Sequence, residues 1–142
     1  ELSEKLLRRR SGPDDFLVYR DSRSWIDVSA EDVNGYIKEH TDDRFSAKDF
    51  RTWHGTVLAA ISLATNGVPG SARARDRAIK AAVAEVAEQL GNTPAVARSS
   101  YIDPRLFDLY RSGQALQGRV SSRRSLKGLS AAEQGVRNLL AS

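Results

Sequence analysis

The feature that most constrains this chain is a pair of long stretches, each with one apolar face at helical spacing, meeting across a short breaker. Phe50, Trp53, Val57, Ile61 and Ala64 recur at steps of three and four residues, which places them on one side of a helix from about 47 to 65. Asn66-Gly67-Val68-Pro69-Gly70 then stops it. Ser71 can cap a second helix that runs to Leu90, with Ile79, Val83, Val86 and Leu90 facing inward and Gly91 closing it as a C-terminal cap. Neither stripe can be buried alone, so the remaining chain must pack around them as a mostly α lobe.

The flanking segments carry their own start and stop signals. Ser29 with Asp32, and Ser46 with Asp49, each pair a hydroxyl with a carboxylate three residues on, so that both serve unpaired N–H groups at a helix start. Helices over about 30 to 39 and 47 to 65 follow. Phe16-Leu17-Val18-Tyr19 and Trp25-Ile26-Asp27-Val28 are β-type runs joined by Arg20 to Ser24, predicting a small hairpin near residues 16–28. Thr93-Pro94 and Asp103-Pro104 each put a cap before a proline, which predicts two short helices with Tyr101 at their junction. Leu2, Leu6 and Leu7 form one stripe of a short first helix ended by Ser11-Gly12-Pro13, and Ser130 with Glu133 opens a last one bearing Val136, Leu139 and Leu140. Tyr19, Tyr36 and Tyr110 fit apolar stripes and are expected in the core, with His40 solvated and His54 structural.

A length of 142 residues allows one domain or one lobe of a larger protein. The absence of cysteine removes disulfides, zinc–thiolate sites and thiol nucleophiles, and two histidines make a His-rich metal site a poor expectation. No apolar run approaches the ~18 residues of a membrane span and no signal peptide is recognisable, so the expected localisation is cytoplasmic. The net charge of +4 is informative only through its clustering. Arg73, Arg75, Arg77 and Lys80 crowd the first half of one helix. Arg111, Arg119, Arg123, Arg124 and Lys127 fall in a Ser- and Gly-rich stretch with no acidic residue before Glu133, a flexible basic segment suited to phosphates.

Two motifs carry the chemistry. Lys48-Asp49-Phe50-Arg51-Thr52-Trp53 opens a helix, while Leu90-Gly91-Asn92-Thr93-Pro94 is followed by Tyr101-Ile102-Asp103-Pro104. Together they resemble the catalytic domain of bacterial and poxvirus-like type IB DNA topoisomerases and, more distantly, the tyrosine recombinases. In the recombinases the first motif is usually His-x-x-Arg and the second Leu-Gly-His, with a tyrosine nine residues beyond that His. Here Lys48 stands at the His position, Arg51 at the Arg position and Asn92 at the second His position, with Tyr101 nine residues on. The resemblance spans residues 14 to 110 and rests on two motifs at consistent mutual spacing.

The residue types suit phosphodiester cleavage. Such a reaction needs a positioned nucleophile, cations on the non-bridging oxygens and a proton for the departing oxygen. A tyrosine supplies the first, and an ordinary phenol, with a pKa of about 10, is activated by a nearby guanidinium that favours its ionised form. The planar fork of Arg51 can bind two oxygens at once, and Asn92 can donate N–H without carrying charge. The resemblance implies a covalent 3′-phosphotyrosyl intermediate, a 5′-hydroxyl that leaves and attacks back, supercoil relaxation by rotation of the cut duplex, and no metal, ATP or other cofactor. It implies Tyr101, Arg51, Asn92 and Lys48 as the catalytic set and double-stranded DNA, within a bacterial nucleoid, as partner. The DNA contacts expected are Arg73, Arg75, Arg77, Lys80, Arg98, Arg119, Arg123, Arg124 and Lys127.

Taken one residue at a time, blander readings stand beside these. Tyr101 can be a buried junction tyrosine, Arg51 and Lys48 solvent-facing charges, and the basic runs solvated faces. The family pattern also calls for a further Arg and for a general-acid Lys on a β-hairpin, and neither is recognisable here. The expectation is therefore a carboxyl-terminal part of a mainly α catalytic fold, divided into a truncated catalytic domain over 1–110 and a basic segment with a terminal helix over 111–142, inactive alone and completed by an amino-terminal lobe. A tyrosine recombinase, a non-catalytic DNA-binding module and an all-α protein-interaction domain are the alternatives.

Overall fold

The computed structural model describes residues 17–65, 67–116 and 126–141. The first-helix expectation on Leu2, Leu6 and Leu7, and Arg119, Arg123 and Arg124, lie outside the described residues. Along the chain run β1 (Val18–Asp21), β2 (Ser24–Asp27), α1 (Ala30–His40), α2 (Ala47–Thr65), α3 (Ala72–Leu90), α4 (Pro94–Ser100), α5 (Arg105–Arg111) and α6 (Leu126–Ala141). The fold is mainly helical with a small β element, as the sequence predicts. It divides into two compact units, Glu1–Ala47 and Lys48–Ser142.

In the first unit β1 and β2 form an antiparallel hairpin pairing Tyr19 with Ile26 and Arg20 with Trp25. The two-residue turn places Ser22 at φ 43°, the positive φ that the first position of a tight hairpin loop demands. α1 opens on a full capping box: Ser29 Oγ accepts from the Asp32 N–H at 3.1 Å, and Asp32 Oδ2 accepts from the Ser29 N–H at 2.8 Å. The Ser29 hydroxyl also donates to Asp32 Oδ2 at 2.7 Å, and this bond first, with the one from the Ser29 N–H second, holds the Asp32 carboxyl below its ordinary value. Tyr19 and Tyr36 are 53% and 64% exposed, against the expectation of core packing. One hairpin and one helix supply too few walls to enclose a ring. His40 is exposed, as expected, and stacks on Tyr36 with centroids 4.0 Å apart.

The second unit holds the core, built around α2. Its residues Gly55 through Leu63 are all buried, so the helix is enclosed on every side rather than along the predicted stripe alone. Val57 and Ile61 are buried as predicted, whereas Phe50 is exposed and Trp53 packs at the core margin. Two buried hydroxyls find partners: Thr56 donates to the Thr52 carbonyl one turn back at 2.8 Å, and Ser62 donates to Glu85 of α3 at 2.6 Å. Around α2 pack Ile79, Val83 and Val86 of α3, Leu106, Phe107 and Tyr110 of α5, and Ala132 and Val136 of α6.

α3 begins at Ser71, whose hydroxyl accepts from the Ala74 N–H, and ends at Gly91 in the left-handed conformation, φ 65°. There the Asn92 N–H reaches back to the Ala87 carbonyl at 2.9 Å, the wrap that closes a helix on a glycine. α4 starts on the predicted Thr93 cap with Pro94 in its first turn. α6 starts at Leu126, about one turn earlier than the Ser130 predicted. Among the described residues no helix is long and apolar enough to cross a membrane.

Candidate active site

The site forms where the C-terminal end of α3 meets the first turns of α2. Three of the predicted catalytic residues converge there. Arg51, one turn into α2, donates from Nη2 to the Leu90 carbonyl at 2.5 Å. Asn92, just past the Gly91 cap, donates from Nδ2 to the same oxygen at 3.0 Å. Leu90 ends α3, so its carbonyl is one of those the helix leaves without an internal partner, at the negative end of the dipole. One backbone oxygen thereby ties together two donors that lie 41 positions apart in the chain, and each keeps further N–H groups for another acceptor.

The third is Tyr101, half-buried at the C-cap of α4 with its own N–H on the Ala97 carbonyl. The Arg51 guanidinium carbon lies 4.9 Å from the centroid of its ring. This is cation–π geometry, and it sets a permanent positive charge against the phenol. Lys48 is the member not gathered in: it is exposed in the first turn of α2, and its side chain makes no hydrogen bond or ion pair among the described residues. His54 is likewise exposed.

The backbone around Tyr101 rests on α2 through residues that sequence reading passed over. Gly55 carries no Cβ because one there would overlap the Tyr101 carbonyl oxygen. On one side of it Thr52 Oγ1 lies 3.3 Å from the Ser100 carbonyl, and on the other Thr56 Oγ1 accepts from the Asp103 N–H at 2.9 Å. The signal was present in Arg51-Thr52-Trp53-His54-Gly55-Thr56: two hydroxyls one turn apart with a glycine on the same face mark a close approach of backbone. Beyond the tyrosine, Ile102 is buried and Asp103 pairs with Arg105 at 2.7 Å. The Arg105 hydrogen bonds hold the Asp103 carboxyl below its ordinary value despite an opposing contribution from burial.

The predicted DNA-contacting residues divide by what they touch. Arg73, Arg77 and Lys80 are exposed on α3. Arg75 is engaged internally, donating from Nε to the Pro69 carbonyl at 2.7 Å and from Nη1 to the Arg111 carbonyl. Its guanidinium pins the α2–α3 loop to the end of α5. Arg98 lies over the Phe107 ring at 4.6 Å and lines a groove with Lys80, Val83, Pro94 and Arg111. Lys127 falls in the first turn of α6. Among the described residues no group of His, Cys, Asp or Glu is placed to hold a metal ion.

Residues 6–121 match the family described as eukaryotic DNA topoisomerase I, catalytic core. Over 88 residues the chain is 31% identical to DNA topoisomerase 1B of Acanthamoeba polyphaga mimivirus, an alignment covering 60% of this chain and 26% of that relative. The chain belongs to the type IB topoisomerase family, and it spans about a quarter of the length of the curated relative it matches.

Proposed function

We propose that this chain supplies the nucleophile and two phosphate-binding groups for cutting and rejoining one strand of duplex DNA, the reaction that relaxes supercoils. The observation that carries the reading is the Arg51 guanidinium 4.9 Å from the Tyr101 ring centroid while it shares the Leu90 carbonyl with Asn92. Tyr101 Oη attacks the phosphorus, the bond to the 5′ oxygen breaks, and the DNA 3′ end is left on the tyrosine. The 5′-hydroxyl then attacks the phosphotyrosine and restores the strand. Bond energy is kept in the phosphotyrosyl link, so no ATP is called for.

In this reading Arg51 binds non-bridging oxygens and stabilises the charge of the transition state, Asn92 adds a neutral donor, and Lys48 contributes positive charge from the helix start. Arg73, Arg77, Lys80, Arg98 and Lys127, with Arg119, Arg123 and Arg124, supply phosphate contacts, while Arg75 acts through the loop it holds. The hairpin Lys that protonates the 5′ oxygen and the further Arg come from an amino-terminal lobe outside this sequence, so the 142-residue chain alone binds duplex weakly and does not relax supercoils.

The test is covalent trapping. The full-length protein should form an adduct with a duplex carrying a 5′-bridging phosphorothiolate, whose leaving group needs no proton, and Tyr101→Phe should form none while binding duplex within a few-fold. Relaxation that persists in Tyr101→Phe would overturn the assignment. Relaxation by the 142-residue chain alone, dependent on Tyr101, would overturn only the division of the site between two lobes.

A further inference from the structure

We propose that Thr56 is a positioning residue for strand cleavage, its hydroxyl fixing the line along which Tyr101 attacks; this rests on the reading of Tyr101 as nucleophile. The Thr56 side chain makes two bonds at once. Its Oγ1 donates to the Thr52 carbonyl one turn back at 2.8 Å and accepts from the Asp103 N–H at 2.9 Å. A hydroxyl has one proton, so the first bond commits that proton and leaves the lone pairs for the second. The result is a directed link from the interior of α2 to the backbone two residues beyond Tyr101.

A second link stands on the other side. Thr52 Oγ1 shares its one proton between the Lys48 carbonyl at 2.9 Å and, as the longer arm, the Ser100 carbonyl at 3.3 Å, one residue before the tyrosine. Between the two hydroxyls Gly55 lets the Tyr101 carbonyl sit against the helix. The backbone of Ser100 to Asp103 is thus held at both ends and from beneath by one turn of α2. Arg51, whose guanidinium faces the Tyr101 ring, precedes that turn on the same helix. Nucleophile and cation therefore share one rigid frame, in which Thr56 is 1% exposed. Phosphoryl transfer depends on an in-line approach, and small misplacements of the attacking atom are costly.

A residue that only holds the fold together would change the fraction of folded protein and leave the rate per folded molecule alone. A positioning residue changes that rate in both directions, because cleavage and rejoining share a transition state. Single-turnover cleavage and rejoining are therefore measured on the full-length protein with Thr56→Val, which keeps the shape and removes the hydroxyl, and with Thr56→Ser, which restores it. Thr56→Val should slow both steps by about tenfold or more per folded molecule, with duplex affinity and the cleavage equilibrium nearly unchanged, and Thr56→Ser should recover most of the rate. Equal rates in wild type and Thr56→Val, or a serine variant as slow as the valine, would overturn the proposal. If Thr56→Val does not fold, Thr56→Ala is compared with Thr56→Ser per folded molecule, and equal rates in those two variants overturn the proposal equally. Failure of the wild type to form any adduct would instead strike the reading of Tyr101 itself.

Discussion

Gly55 and Tyr101 are in backbone contact: the carbonyl oxygen of the tyrosine occupies the place where a side chain at Gly55 would begin. The contact explains a glycine in the middle of a long buried helix, where it is intrinsically unfavourable. Alanine at an unconstrained helix interior stabilises by roughly 0.5–1 kcal/mol relative to glycine. Here the added methyl would push the Tyr101 turn off α2 and away from Arg51. Gly55→Ala should lower the melting temperature and slow adduct formation together. A variant that melts higher and cleaves at the wild-type rate would show that the contact is dispensable.

Arg51 and Asn92 share an acceptor but not a charge. Loss of one preorganised donor to a developing oxyanion costs ~10²–10³ in rate, and a charged fork should matter at least as much as an amide. Arg51→Ala should therefore slow cleavage more than Asn92→Ala. Asn92→His should be tolerated or faster, since a protonated ring adds charge at the same position. Single-turnover cleavage under identical salt decides it, and the reverse ranking would exchange the two roles.

Tyr110, the one tyrosine of the three expected in the core that is buried, donates its hydroxyl to the Gly67 carbonyl at 2.6 Å. Its phenol is pushed above the ordinary value by burial, with Arg75 opposing. Tyr110→Phe should cost about 1 kcal/mol of unfolding free energy at neutral pH. A raised native pKa means that the native state holds the proton longer than the unfolded chain, so stability is full below about pH 10 and falls as pH climbs above it. That alkaline loss should be smaller in Tyr110→Phe, as read by denaturant titration across the range.

Asp103 gives the opposite sign. Its carboxyl is held low chiefly by the Arg105 hydrogen bonds, and its Oδ1 also accepts from the Arg105 N–H at 2.9 Å at the start of α5. A depressed native pKa contributes stability that is present above about pH 4 and disappears as pH falls toward the native value. Asp103→Asn should be less stable than wild type at pH 7, with the gap closing in acid. A gap that stays constant from pH 7 to pH 3 would mean that the ion pair contributes nothing.

What the sequence determined by itself is local. The capping box at Ser29 and Asp32, the Thr93-Pro94 start, the Gly91 stop and the periodicity of Ile79, Val83 and Val86 were all legible, because each acts within about one helical turn of itself. The resemblance of its two motifs to the type IB topoisomerases likewise pointed to Arg51, Asn92 and Tyr101, which the structure gathers around Leu90, and to Lys48, which it leaves apart. What only the tertiary structure decided depends on partners far along the chain. The burial of α2 on all sides, the solvent exposure of Tyr19 and Tyr36 and the capture of Arg75 by two carbonyls follow from which elements enclose which. The support of the tyrosine turn is the clearest case, since the bond from Asp103 to Thr56 spans 47 positions. A hydroxyl that caps its own helix and one that also holds a distant backbone look the same in sequence, and only the folded chain brings the second acceptor or donor within 3 Å.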